Sequence, residues 1–336
     1  MGQYYWFIFA ILLVLFIPVC FLKEPDSSHV PMRTFDEHRL ELWETMQNIT
    51  TLYLLIYVSG SQIFTSMTNI SSVYIQYYVI GLTNLQSGIN SIANYLALVI
   101  AIMIFQTYLI NRNWRWTQYL SSLFSGILGL QWLLVFYNTG GLRNAWFTIF
   151  VNTNQIFSQG ITQVLFAMAV IELAKPGQES TTYELIVSAA NAGSTLNTII
   201  ATQFLQLTNA AACNTQPCPD NTVDLTDLDT YESSNGPQKF RNYTFLILAI
   251  NLVGLILFTP FLPKQKEQCH EWRIRGEKSG HSRMIGYASL ILSTATITYG
   301  ILCSVMLVNA NTSCLKAFGG SGCSNTGDDG GSDTVA

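Results

Sequence analysis

Residues 50–111 read TTLYLLIYVSGSQIFTSMTNISSVYIQYYVIGLTNLQSGINSIANYLALVIAIMIFQTYLIN and hold no Asp, Glu, Lys or Arg. The hydrocarbon core of a bilayer is about 30 Å thick, and a helix crosses it in about 20 mostly apolar residues. This one stretch is therefore long enough for more than one crossing. It is not solid Leu and Val, because Asn, Gln, Ser, Thr and Tyr recur along it. Two further stretches, between Arg143 and Glu172 and between Glu184 and Asp220, are also empty of charge. A chain of this pattern lives in lipid and keeps uncharged polar groups at depth. That combination suggests a polar passage through a helical bundle.

Working outward, charged residues make up 11% of the chain, against roughly 25% in an average soluble domain. Eight candidate spans follow, at 4–22, 52–82, 88–110, 116–137, 146–174, 184–207, 243–262 and 284–309. Only helices and closed barrels satisfy their backbone groups in lipid, and these segments are too long and continuous for barrel strands. The expected fold is all-α, a polytopic transmembrane helical bundle. Its parts are a first helix at 1–22, a linker at 23–51 with an amphipathic helix, and a six-span block at 52–263. A basic loop at 264–283, a last helix at 284–309 and a Gly/Ser/Asp-rich tail at 310–336, expected to be disordered, complete it. No Lys or Arg precedes the first apolar run, so 1–22 reads as a retained span rather than a cleaved signal. Trp6 breaks the myristoylation pattern.

Lys and Arg gather in cytoplasmic loops. With the start of the first span outside, twelve of the sixteen basic residues fall inside, leaving Arg143, Lys239, Arg241 and Lys316 outside. Both termini are then non-cytoplasmic. Cys213, Cys218, Cys314 and Cys323 fall on the oxidising side and are disulfide candidates, with connectivity left open by spacing alone. The sequons at Asn242 and Asn311 fall on that side too, whereas Asn69-Ile-Ser lies at membrane depth and is expected to stay unmodified.

Local signals mark the joints. Thr34-Phe-Asp-Glu37 is a capping box that opens a helix carrying Leu40, Trp43 and Met46. Ser59-Gly60-Ser61 is a bend or close-packing point in the second span. Lys175-Pro176-Gly177 ends the fifth span, and Thr181-Thr-Tyr-Glu184 is expected to cap the sixth. The acidic loop 208–242 reads as solvated and mobile.

Chemistry at depth is carried by amides. Asn152, Gln155, Gln159 and Gln163 are spaced to share one face of the fifth span. Ser188, Asn191, Thr195, Thr198 and Thr202 do so on the sixth, and Ser59, Gln62, Ser66 and Asn69 on the second. Such stripes either glue helices together or line a polar cavity. Four amides on one face exceed what glue requires, and Asn152, Gln155, Gln159, Gln163, Asn191 and Thr195 are the candidate solute contacts. Glu172, the deepest acid, reads as a coupling carboxylate, as the partner of Arg112 or Arg115, or as a cap for the helix that begins near Thr181.

Other functions lack their residues. His29, His38, His270 and His281 all lie outside the spans, and no span carries two carboxylates, so intramembrane proteolysis is unsupported. No Walker loop, metal-binding His spacing or potassium-filter motif occurs. Nothing points to catalysis, a cofactor, a metal or nucleic acid. The expected partners are the bilayer and a small polar solute.

Asn113-Trp-Arg-Trp116, Arg143-Asn-Ala-Trp-Phe147, Gln159-Gly-Ile-Thr-Gln163 and Val170-Ile-Glu-Leu-Ala174 occur in that order. Pro176-Gly-Gln-Glu179, Tyr183-Glu-Leu-Ile186 and Ser188-Ala-Ala-Asn191 follow. Together they resemble the folate–biopterin transporter family of the major facilitator superfamily. The resemblance covers about 50–205 and implies the carboxyl-terminal half of a twelve-span transporter. It implies that the first span matches the sixth transporter helix, that the last span is an addition, and that Glu172 and Asn191 fall on family motifs. Solute binds between halves in such proteins, so the resemblance also implies a second six-helix half, from a longer gene product or another chain, or a homo-oligomer.

Overall fold

The computed structural model describes residues 34–65, 67, 69–174, 179–213, 222–225, 228–278 and 282–308. The expected first span, the tail, the Lys175-Pro176-Gly177 stop, Cys218, Cys314, Cys323 and Asn311 lie outside the described residues. Nearly all of the described chain is helical.

Helix α1 (Phe35–Met46) opens on the expected box. The Thr34 N–H donates to Glu37 Oε2 at 2.8 Å and the Glu37 N–H to Thr34 Oγ1 at 3.4 Å. Asn48 caps α2 (Ile49–Gly60) by accepting from the Thr50 N–H at 3.0 Å. The 52–82 segment is not one helix. After Gly60 the backbone widens into a π turn, Ser61–Thr65, and a separate helix α3 (Ile70–Tyr74) runs into a second π turn, Ile75–Val79. Gly60 lies against the Phe258 ring, with no room for a Cβ. Ser61 Oγ donates back to Val58 O and Thr65 Oγ1 to Ser61 O, which are bonds that bend helices. The bend read at 59–61 is therefore the start of a longer interruption.

The remaining long helices are α4 (Asn84–Ile104, with a π turn to Leu109), α5 (Trp114–Gly129) continued by α6 (Gln131–Phe136), and α7 (Ala145–Leu173). They are followed by α8 (Glu179–Leu207), α10 (Gly236–Phe258), the short polar α11 (Lys266–Lys278) and α12 (Arg283–Val308). Helix α8 begins at Glu179, ahead of Thr181, so the Thr181–Glu184 pair lies inside it and does not cap it. Among the described residues five stretches are long and apolar enough to cross a membrane: Asn84–Leu109, Trp114–Phe136, Ala145–Leu173, Gly236–Phe261 and Arg283–Cys303. Ile49–Thr65 is apolar but shorter, and α8 is long but diluted by Asn, Ser and Thr.

The described part of 208–242 is exposed along much of its length but carries a packed core of its own. Strand β1 (Ala212–Cys213) pairs in parallel with β2 (Val223–Asp224), and α9 (Leu228–Ser233) follows. Val223, Leu225 and Tyr231 are buried. The hinge of this packing is Arg143. Its guanidinium donates to Val135 O and Phe136 O at the end of α6, pairs with Glu232 at 3.0 Å, and lies over the Tyr231 ring at 5.2 Å. The acidic composition hid this, because one buried arginine on a distant turn organises the loop.

Two apolar clusters hold the bundle. One gathers Leu54, Leu55, Phe105, Trp114, Leu165, Ile186, Leu262 and Cys269. The other gathers Ile75, Trp132, Phe136, Val151, Leu205, Phe240 and Tyr243. Helices α7 and α8, the run of α5 into α6, the run of α10 to Leu262, and the chain from α2 to α3 each pass from one cluster to the other. Helix α12 packs on α2 and α8 through small residues at helical spacing: Gly286, Ser289, Ser293, Thr296, Gly300 and Cys303 are all buried.

Candidate functional site

Between the two apolar clusters lies a cavity of about 480 Å³. The broken second segment supplies Gln62, Thr65, Met67, Asn69, Ser72 and Gln76, and α7 supplies Asn152, Gln155, Ser158, Gln159, Thr162 and Gln163. Helix α5 adds Gln118, Ser122, Ser125, Gly126 and Gly129, and α10 adds Thr244, Leu248, Asn251 and Leu252. Among the described residues no ionisable side chain lines it. It therefore offers hydrogen bonds and no fixed charge.

Close helix approach shapes the walls. A Cβ at Gly126 would meet Leu248, and at Gly193 it would meet Gln62 Cβ and Ser59 O. Gly129 leaves room for the Gln155 amide, whose nitrogen lies 3.1 Å from where a Cβ would stand. Asn69, freed by the interruption before α3, donates to Thr244 Oγ1 at 2.9 Å and so ties that wall to α10.

All four α7 amides line the cavity, but they differ in their partners. Asn152 and Gln76 bond reciprocally at 3.2 and 3.4 Å, and Asn152 Nδ2 also donates to Asn90 Oδ1 at 3.5 Å. Gln155 Oε1 accepts from the Trp132 indole at 3.3 Å. Gln159 and Gln163 line both this cavity and a smaller one of about 280 Å³ beside α4, together with Asn94. Helix α8 contributes Ser194, not Asn191 or Thr195. Asn191 is exposed on α8, and Thr195 lies against Gly300 of α12. One step along a helix turns a side chain by about 100°, and α12 covers the Thr195 side. Gln62 and Asn69, read from the sequence as part of a polar stripe but not as solute contacts, also line the cavity, as do Thr244 and Asn251, which the sequence reading did not single out. Thr244 and Asn251 stand seven residues apart in an otherwise apolar span, so their shared face was the available signal.

Glu172 pairs with neither Arg112 nor Arg115. Its Oε1 meets Lys266 Nζ of α11 at 2.6 Å. Arg115 is committed to Leu262 O at 2.6 Å, and Arg112 is exposed. The hydrogen bond and charge of Glu172 raise the Lys266 pKa, so this contact holds at neutral pH and is lost as pH rises past the raised value. Lys266 is largely exposed, so the pair is a weak tether. Beside it, Cys269 is a free, buried thiol whose pKa burial pushes up to about 12. The Cys213 side chain lies outside the described residues. Asn242 is exposed on α10, its Oδ1 accepting from the Arg241 guanidinium. Among the described residues no group of three His, Cys, Asp or Glu is arranged to hold a metal.

The family model that matches this chain is that of the BT1 family, over residues 4–280. No curated protein and no solved structure matches it. The family match extends beyond the 50–205 stretch whose motifs first suggested it and ends before α12. Residues 4–280 being most of its length, the chain belongs to the BT1 family, the folate–biopterin transporters whose motifs it carries.

Proposed function

We propose that the chain moves a small polar, folate- or pterin-like solute across a membrane by alternating access, as one six-helix half of a secondary transporter. The observation that carries this reading is the amide-lined cavity between two apolar clusters. Amides left unpaired in hydrocarbon cost several kcal/mol, so a cavity of this composition is a place for water and solute. Asn152, Gln155, Gln159 and Gln163 are the cavity-lining set on α7. The reading is also supported by the exposed, uncharged face of α8, with Ser188, Asn191, Ser194 and Thr198. Such a face at membrane depth calls for a protein neighbour rather than lipid. A second six-helix half or a second copy of the chain fills that role, with Asn191 at the seam and Thr195 behind it. The excess of Lys and Arg at the α11 end supports a cytoplasmic position for that end.

Uptake of labelled pterins and folates into vesicles holding the full chain tests the proposal. Gln159→Leu is expected to reduce uptake several-fold at unchanged membrane abundance; equal uptake removes Gln159 from the path. The exposed α8 face also favours a second reading, a membrane protein that binds a partner chain without transport. Absence of uptake, together with specific crosslinking from Asn191→Cys to a second helical protein, would favour that reading.

A further inference from the structure

The cavity holds two kinds of amide. One kind is spent on the protein. Asn152, Gln76 and Asn90 interlock, Gln155 is engaged by Trp132, and Gln118 accepts from Tyr57 while donating to Ser122. The other kind is free. The side-chain amides of Gln62, Gln159, Gln163 and Asn251 make no hydrogen bond among the described residues, and Asn251 Oδ1 is buried without a donor. These four come from α7, from α10 and from the π turn after α2, so they approach the cavity from three directions.

Resting on the transport reading above, we infer that the cavity selects an uncharged solute with a mixed donor and acceptor edge, gripped by Gln62, Gln159, Gln163 and Asn251, while Asn152 and Gln155 form a fixed frame. Each primary amide presents both an N–H pair and a carbonyl oxygen. A solute edge that alternates donors and acceptors satisfies both halves of every free amide. A carboxylate satisfies only the N–H half and leaves the amide oxygens facing like charge. Its lost hydration is not replaced by any cationic side chain lining the described cavity. The volume, about 480 Å³, lies within the roughly 300–1,000 Å³ of small-molecule sites.

The test is equilibrium binding to the full chain in lipid nanodiscs, with two pairs of probes that differ by one carboxylate. The pairs are 6-hydroxymethylpterin with pterin-6-carboxylate, and uracil with orotate. In at least one pair the neutral member is expected to bind at least tenfold tighter than the acid. Gln62→Leu and Asn251→Leu are each expected to weaken that binding at least fivefold. Because substitutions at these half-buried positions can unfold the chain, Gln159→Arg at an exposed position is the second arm. It supplies the missing cation and is expected to shift preference toward the acid of the pair. Equal or tighter binding of the acids by the wild type overturns the charge selection and leaves the transport reading standing. An unchanged preference in Gln159→Arg removes Gln159 from the grip. Failure of all four probes to bind overturns the inference, and the vesicle uptake assay then decides the transport reading separately.

Discussion

At the scale of single residues, absent side chains matter as much as those present. A Cβ at Gly160 would press on Ala101 and Leu98, whereas one at Gly88 would meet nothing. Both glycines lie in helices of the same pair. Gly160→Val is therefore expected to destabilise by about 1–3 kcal/mol through overpacking. Gly88→Ala is expected to be neutral or to stabilise by up to about 1 kcal/mol through helix propensity. Thermal midpoints in detergent separate the two. Cys269 gives a chemical reporter of packing. With its thiol pKa pushed up to about 12 by burial, it is almost wholly protonated at pH 7. Maleimide labelling there should be slow near neutrality and rise steeply in alkali; fast labelling at pH 7 would mean that α11 is undocked. The α7 amides were legible because four of them at steps of three and four can share one face. Their split into spent and free groups was not legible, since Gln76, Asn90 and Trp132 reach them only through tertiary contacts.

At the scale of elements, the charge-free stretches mark the helices well and their interruptions poorly. The capping box at Thr34 and Glu37 was readable because its two hydrogen bonds are local. The break before Asn69 depends on Phe258 occupying the space beside Gly60 and on Thr244 bonding Asn69, both from α10. No local signal reports a neighbour that distant in sequence. The same holds for the 208–242 loop, whose order depends on Arg143. That side chain is 4% exposed, and its removal takes the charged donor from the Val135 and Phe136 carbonyls and the cation from the Tyr231 face. Arg143→Ala is expected to cost roughly 2 kcal/mol and to make the loop cleavable by protease in the folded protein. A loop that stays resistant would show that α9 docks without it. Glu232, half-exposed, adds little beyond those contacts.

At the scale of the whole molecule, the bundle from Leu42 onward holds two apolar clusters and a cavity rich in amides and hydroxyls. The helices crossing from one apolar cluster to the other change character midway, giving up Leu and Phe for Gln, Asn, Ser and Thr. Helix α12, beyond the family match, covers the Thr195 side of α8 and leaves the Asn191 side open. Transport by this chain requires that water reach the cavity. Single cysteines at Gln155, Gln159 and Gln163, and at Val99 and Met103 on the exposed apolar face of α4, can be placed in the full chain in native membranes. Labelling by a water-soluble, membrane-impermeant maleimide is then read peptide by peptide. Labelling is expected at all three glutamine positions and not at Val99 or Met103. Unlabelled cysteines at Gln155, Gln159 and Gln163 in a folded, membrane-inserted protein would contradict transport through this cavity.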